Sequence, residues 1–242
     1  MQNRNSKAEN GTSASLVQNG LLAEAVSVKP ILFSGEMVRA ILEGRKTQTR
    51  RIVKMRDGSL MQDDDLSTHL DNSFDCVMDF TKTYPYWQKL NCPYGNINDV
   101  LWVRETFQET TWLHPSDENY GYIYKASENG REWAANDERW KWKPSLFMPK
   151  SACRLFLKIT KIRIERLQDI SEQDAISEGI DSEFDTYLDY EQKETLGSYY
   201  LLSARDSYES LWAKINGQDS WDENPFVWVI SFEITERPQG FC

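Results

Sequence analysis

Leu155-Phe156-Leu157-Lys158-Ile159-Thr160-Lys161-Ile162-Arg163-Ile164 is the stretch whose phase decides the fold. Leu155, Leu157 and Ile159 occupy odd positions, the period-two pattern of a half-buried strand. Ile162 and Ile164 then occupy even ones. The change of phase falls on two polar neighbours, Thr160 and Lys161, which predicts a β-bulge or a bend at that point. Bends of this kind occur where a sheet curls into a small barrel, so the expectation is a closed β-barrel.

Working outward, Val100-Leu101-Trp102-Val103 reads as a short buried strand. Phe226 to Ile234 reads as a last one, with Trp228, Ile230, Phe232 and Ile234 in alternation. Tyr120, Tyr122 and Tyr124 also alternate, and Asn129-Gly130 is a hairpin-turn dipeptide. Towards the N-terminus, Lys29-Pro30-Ile31-Leu32-Phe33 reads as a strand. Ser34 can cap a helix from Gly35 to Glu43 with Met37, Ala40 and Ile41 on one face, and Gly44 sits where such a helix ends left-handed. Ser171-Glu172-Gln173-Asp174 has the form of a capping box opening a short helix that Gly179 ends. Ser203 to Ile215 is an amphipathic helix with Tyr208, Leu211, Trp212 and Ile215 on its apolar face, stopped by Asn216-Gly217. Mixed strands with few helices define an α+β class. The expected organisation is a disordered tail over residues 1–27 and one domain over 28–242. Insertions are placed near 57–93, 113–145 and 181–200, the last as a solvated acidic loop.

The chain has 242 residues, 40% of them hydrophobic, with nine Trp, eleven Tyr and ten Phe, enough to fill a sizeable core. Its net charge of −10 argues against coating nucleic acid by bulk charge and leaves a local basic groove open. Cys76, Cys92, Cys153 and Cys242 are widely separated and form no C-x-x-C pair, so reduced thiols are expected rather than a disulfide framework. A zinc site would need His69 or His114 at no recognised spacing, and neither a metal nor a cofactor is expected. No segment reaches the roughly 20 apolar residues that span a bilayer, and residues 1–27 lack the pattern of a signal peptide. The expected setting is the cytoplasm.

Charge is unevenly spread. Lys29 to Arg56 holds eight basic residues against two acidic ones, and Lys150 to Arg166 holds six against Glu165 alone. These are a phosphate-binding groove or two solvated faces, and charge alone leaves both open. Within Arg45-Lys46-Thr47-Gln48-Thr49-Arg50-Arg51, one turn-like bend brings Lys46 and Thr49 to the same side. A flat strand would instead pair Thr47 with Thr49. A neutral lysine beside a hydroxyl can activate it as a nucleophile, and Arg45, Arg50 and Arg51 would push the lysine pKa down as that requires. Glu178 stands in the last turn of its short helix, against the preference of the helix dipole for positive charge there, which hints at a task beyond stability.

Ile41-Leu42-Glu43-Gly44-Arg45-Lys46-Thr47-Gln48-Thr49-Arg50 resembles the opening motif of ASCH domains, a branch of the PUA-like β-barrels. Asp99-Val100-Leu101-Trp102-Val103-Arg104-Glu105 is similar to the family's next strand and Val227-Trp228-Val229-Ile230-Ser231-Phe232 to its last. With its insertions the chain is most similar to ASCH-like proteins of phages and prophages. Small bacterial members are N(4)-acetylcytidine amidohydrolases that use a Lys, a Thr and a Glu. The resemblance places the first two on Lys46 and Thr49, and a gapless count through Leu167-Gln168-Asp169-Ile170-Ser171-Glu172 places the third on Glu178. The chain departs from the family at Asn98, where a Gly is usual.

Three functions follow as expectations. In the first, an amidohydrolase of a modified nucleoside, Thr49 attacks, Lys46 activates it and Glu178 carries the proton to the leaving amine. Arg45 or Arg50 stabilises the oxyanion, Thr47, Arg51, Trp102 and Arg104 complete the binding surface, and Lys46→Ala ends turnover with folding intact. In the second, a module binds RNA or a modified base, with Trp102, Tyr122 or Trp142 stacking on it, and a ribonuclease would use Lys46 with Glu178. In the third, a phage accessory protein meets a host protein through Trp112, Trp133, Trp140 and Trp142.

Overall fold

The computed structural model describes residues 26–54, 60, 92–110, 121–127, 141–183, 186–191 and 200–241. The main sheet has five strands: β1 (Val28–Leu32), β2 (Gln48–Ile52), β3 (Val100–Arg104), β6 (Phe156–Arg166) and β10 (Phe226–Thr235). Their order is β1-β3-β6-β10-β2, with β1 parallel to β3 and every other pair antiparallel. β4 (Phe107–Glu109) and β5 (Tyr122–Tyr124) form a separate hairpin, so the alternating tyrosines do make a strand. Tyr120 and Asn129-Gly130 lie outside the described residues.

The phase change in β6 is a bulge. Ile162 pairs with Ile230, Ile159 pairs with Phe232, and Thr160 has no partner across the ladder. Both isoleucines thereby keep the face that carries the first core, where Ile159 and Ile230 are fully buried. Burying a side chain of this kind stabilises by roughly 1.5–3 kcal/mol.

The sheet is open, which corrects the expected closed barrel. β1 and β2 are its two edges, and among the described residues no backbone ladder joins them. A side chain spans the gap instead: the Arg51 guanidinium of β2 donates to the Leu32 carbonyl of β1 at 3.0 Å. The mixed α+β character stands, with four helices and ten strands among the described residues.

The helices cover the sheet. α1 (Gly35–Leu42), capped by Ser34 Oγ on Met37 N–H, seats Val38 and Ile41 against Leu101, Ile159, Trp228 and Ile230. Gly44 follows with φ +75°, the left-handed stop expected there. On the other face, α2 (Glu172–Ser177), α3 (Ala204–Asn216) and α4 (Gln218–Asp222) bury Ala175, Tyr208, Trp212 and Trp221 against Val227 and Val229. β10 is therefore apolar on both faces, as a central strand packed on two sides requires. Ile215 departs from the expected apolar face of α3 and is 54% exposed.

One insertion is more structured than expected. The acidic segment after Asp181 is no solvated loop: β7 (Ser182–Glu183), β8 (Thr186–Leu188) and β9 (Tyr200–Leu201) form a small sheet. Leu188 and Tyr190 anchor it in the second core, with the Asp181 N–H donating to Tyr190 Oη at 2.7 Å. Cys92, at the end of the region read as an insertion, is buried in the first core. Asn98, where the family resemblance expects Gly, has φ +74°, a conformation that asparagine tolerates better than most residues. Cys92 and Cys153 are free and buried. No helix among the described residues is long and apolar enough to cross a membrane.

Candidate functional site

The site forms where the start of β2 meets the end of α2. Lys46 and Glu178 pair as an isolated antiparallel bridge, and Thr47 N–H donates to the Ser177 carbonyl at 2.9 Å. Lys46 Nζ donates to Glu178 Oε2 at 2.7 Å and to the Glu178 backbone oxygen at 2.8 Å. Both side chains are almost wholly buried. This resolves the acid at the helix end: the lysine ammonium satisfies the terminal carbonyl and also neutralises the carboxylate.

Gly179 allows the approach. Its φ is +80°, and a Cβ there would stand 2.6 Å from Lys46 Cβ and 3.0 Å from Ala40 Cβ. Gly179→Ala therefore carries both a left-handed backbone penalty and a clash, and the expected loss is about 2 kcal/mol or more. Urea unfolding checks this, and a variant as stable as the wild type would count against the tight contact.

Behind the pair lies a buried ionic cluster. Arg50 Nη1 donates to Glu178 Oε1 at 3.1 Å, while Nη2 meets Glu165 Oε1 and lies 3.4 Å from Asp174 Oδ2. Arg163 bonds Glu165 and Asp174, each at 2.8 Å. Gln48 bridges Asp174 and Arg163, so the Asp174 carboxylate serves this cluster while its N–H takes the Ser171 cap. Three cations thus face three carboxylates, which is how a charged group tolerates burial. Among the described residues Arg50 Nε has no partner.

Electrostatics follow from this packing. Burial pushes the Lys46 ammonium below its ordinary value; Glu178 opposes the shift without overturning it, and Arg51 and Arg50 add to it. The lowering is the direction that the residues around Lys46 suggest, although burial rather than the neighbouring arginines is its chief cause. For Asp174, burial works upward, but Arg163 and Arg50 outweigh it and hold the carboxyl low. Burial, reinforced by Glu178, raises the Tyr208 phenol well above its ordinary value, so it stays protonated.

Lys46, Thr49, Arg50, Arg51 and Glu178 share the lining of a cleft of about 1400 Å³. Its other walls include Phe33, Met37, Tyr94, Tyr208, Trp212 and Trp228. Thr49 pairs with Ile230 and is 1% exposed; no hydrogen bond links it to Lys46 among the described residues. Arg51 lies over the Phe33 ring at 5.3 Å. Arg45 sits beside the cleft, bonded to Glu43, the Gly179 carbonyl and Asp181.

Other expected site residues fall elsewhere. Thr47 is exposed, its backbone joining Ser177 and Phe232, and it does not line the cleft. Trp102 is buried in a third core against Phe241, with Arg104 over its ring and bonded to the Leu146 carbonyl. β3 is buried on both faces, and its even positions point away from the first core and into this one. Tyr122 stands beside Ser151, the Trp142 indole N–H is buried with no partner among the described residues, and neither side chain lines the cleft. Trp112, Trp133 and Trp140 lie outside the described residues. Sequence reasoning missed Trp212 and Trp228 as cleft residues because their spacing marks them as core, which they also are.

Several cations of the two basic segments are engaged, while Arg51 lines the cleft bonded to the Arg50 and Leu32 carbonyls. Lys46, Arg50 and Arg163 are consumed by the cluster, Arg154 by Glu105 and Lys158 by Glu233. Among the described residues no group of three or more His, Cys, Asp or Glu could hold a metal ion. No family model, curated protein or solved structure matches the chain.

Proposed function

We propose that the chain is an ASCH-like amidohydrolase that cleaves the amide of an N-acylated cytidine-type nucleoside or base. One observation carries this reading. Lys46 and Glu178, 132 residues apart, form a buried pair on the wall of a cleft that Thr49 also lines. The chemistry is acyl transfer. Thr49 Oγ attacks the acyl carbon and gives its proton to neutral Lys46 Nζ. The C–N bond breaks as that proton passes through the Glu178 carboxylate to the leaving amine. Water then hydrolyses the Thr49 ester, releasing the acid and restoring the hydroxyl. RNA binding or cleavage has less support, because Lys46 and Arg50 in the cleft wall already face carboxylates.

The test is incubation of the purified protein with N(4)-acetylcytidine, following deacetylation by chromatography across pH. Turnover is expected to rise with pH, as Lys46 loses its proton, to a plateau with a midpoint below the ordinary lysine value of 10.5. Arg51→Gln removes one of the charges that lower Lys46 and should move the midpoint upward. A flat profile, or a midpoint unmoved by that change, would remove Lys46 as the base.

A further inference from the structure

Tyr208 is 4% exposed and lines the cleft, and among the described residues its hydroxyl has no hydrogen-bond partner. Its ring is held firmly: Arg50 lies over it at 5.7 Å, and the Trp212 and Trp221 rings pack at 6.2 and 6.4 Å. A phenol fixed on three sides, with its polar end open to the cleft, is placed to meet a ligand. Because the phenol stays protonated, it can always donate.

The surrounding charge says what it can donate to. Arg50 already faces Glu178, Glu165 and Asp174, and Lys46 faces Glu178. Of those carboxylates only Glu178 lines the cleft, and with Lys46 and Arg50 engaged a neutral acceptor there finds its donor in the Tyr208 hydroxyl rather than in either cation. Trp212 and Trp228 line the same cleft and suit a planar ring.

We infer that the Tyr208 hydroxyl donates to a neutral carbonyl oxygen of the ligand in this cleft, so that Tyr208 is a ligand-positioning residue. The identity of the ligand rests on the hydrolase reading; the contact itself does not require turnover.

Calorimetric titration of wild type and Tyr208→Phe with N(4)-acetylcytidine and with its 5′-monophosphate tests the contact, with turnover followed in parallel. Phe keeps the ring and its packing and removes one hydroxyl. The variant should bind the nucleoside up to about 10-fold more weakly at an unchanged melting temperature, the size of one neutral hydrogen bond. KM should rise by a similar factor, with kcat less affected, and the monophosphate should lose affinity in the variant by a similar factor. Equal affinity in the two proteins for both compounds, or no binding of either compound, overturns the inference. Binding that weakens in Tyr208→Phe without any turnover upholds the Tyr208 contact and removes the hydrolase. Turnover with unchanged binding in the variant does the reverse.

Discussion

Lys46→Met is expected to lower the turnover of N(4)-acetylcytidine by about 10³-fold, within the range that a positioned acid or base contributes. Methionine is the informative replacement because Lys46 is 3% exposed and its stem lies against Gly179 and Ala40. Alanine would open a void there, so a loss of activity in Lys46→Ala would mix chemistry with packing. The expectation that alanine leaves folding intact therefore needs this amendment. Methionine fills the stem's volume and removes only the ammonium. Glu178 is then not stranded, because Arg50 Nη1 still reaches its other oxygen at 3.1 Å. Chromatography of product, with circular dichroism and melting of the same sample, separates the effects. A folded variant that retains activity would exclude Lys46 from the reaction.

How far the sequence led depends on whether a feature is written locally. The bulge at Thr160 was legible because a strand has period two, and a residue without a partner shifts every later side chain. Gly44 and Gly179 were legible as helix stops, and Glu178 because a carboxylate at a helix end opposes the dipole. Sheet closure was not legible, since it depends on whether two edges 16 residues or more apart share a ladder, and a bend in β6 serves an open, helix-covered sheet equally well. Trp102 misled because a strand buried on both faces gives no sign of which face meets the cleft. Arg50 was read as an oxyanion-stabilising cation in a basic run. Its burial depends on Glu165, Asp174 and Glu178, which lie more than 100 residues away.

That burial sets the second large effect. Arg50→Met is expected to cost about 3–5 kcal/mol of stability, the range for breaking a buried ionic network from one side. The Arg50 side chain is fully buried and touches three carboxylates, so its removal leaves three anions facing Lys46 and Arg163. Replacing the whole cluster with apolar groups could be neutral, but removing one cation is not, because the desolvation of the remaining carboxylates persists. The pH dependence distinguishes this from a simple packing defect. In the wild type the Asp174 carboxyl is held below its ordinary 3.8: burial works upward, and Arg163 with Arg50 prevails. A carboxylate lowered in the folded state adds stability above its unfolded pKa, and that stability is lost as pH falls through the folded value. Without Arg50 the folded pKa rises and there is less stability to lose. The gap between Arg50→Met and wild type should therefore be widest near neutral pH and narrow as pH falls below about 4. Urea titrations at neutral and acid pH measure it. Arg163→Met, at a side chain 24% exposed, should show a smaller gap of the same sign. A deficit that stays constant with pH would assign the loss of Arg50 to packing alone and leave the ionic cluster without a role in stability.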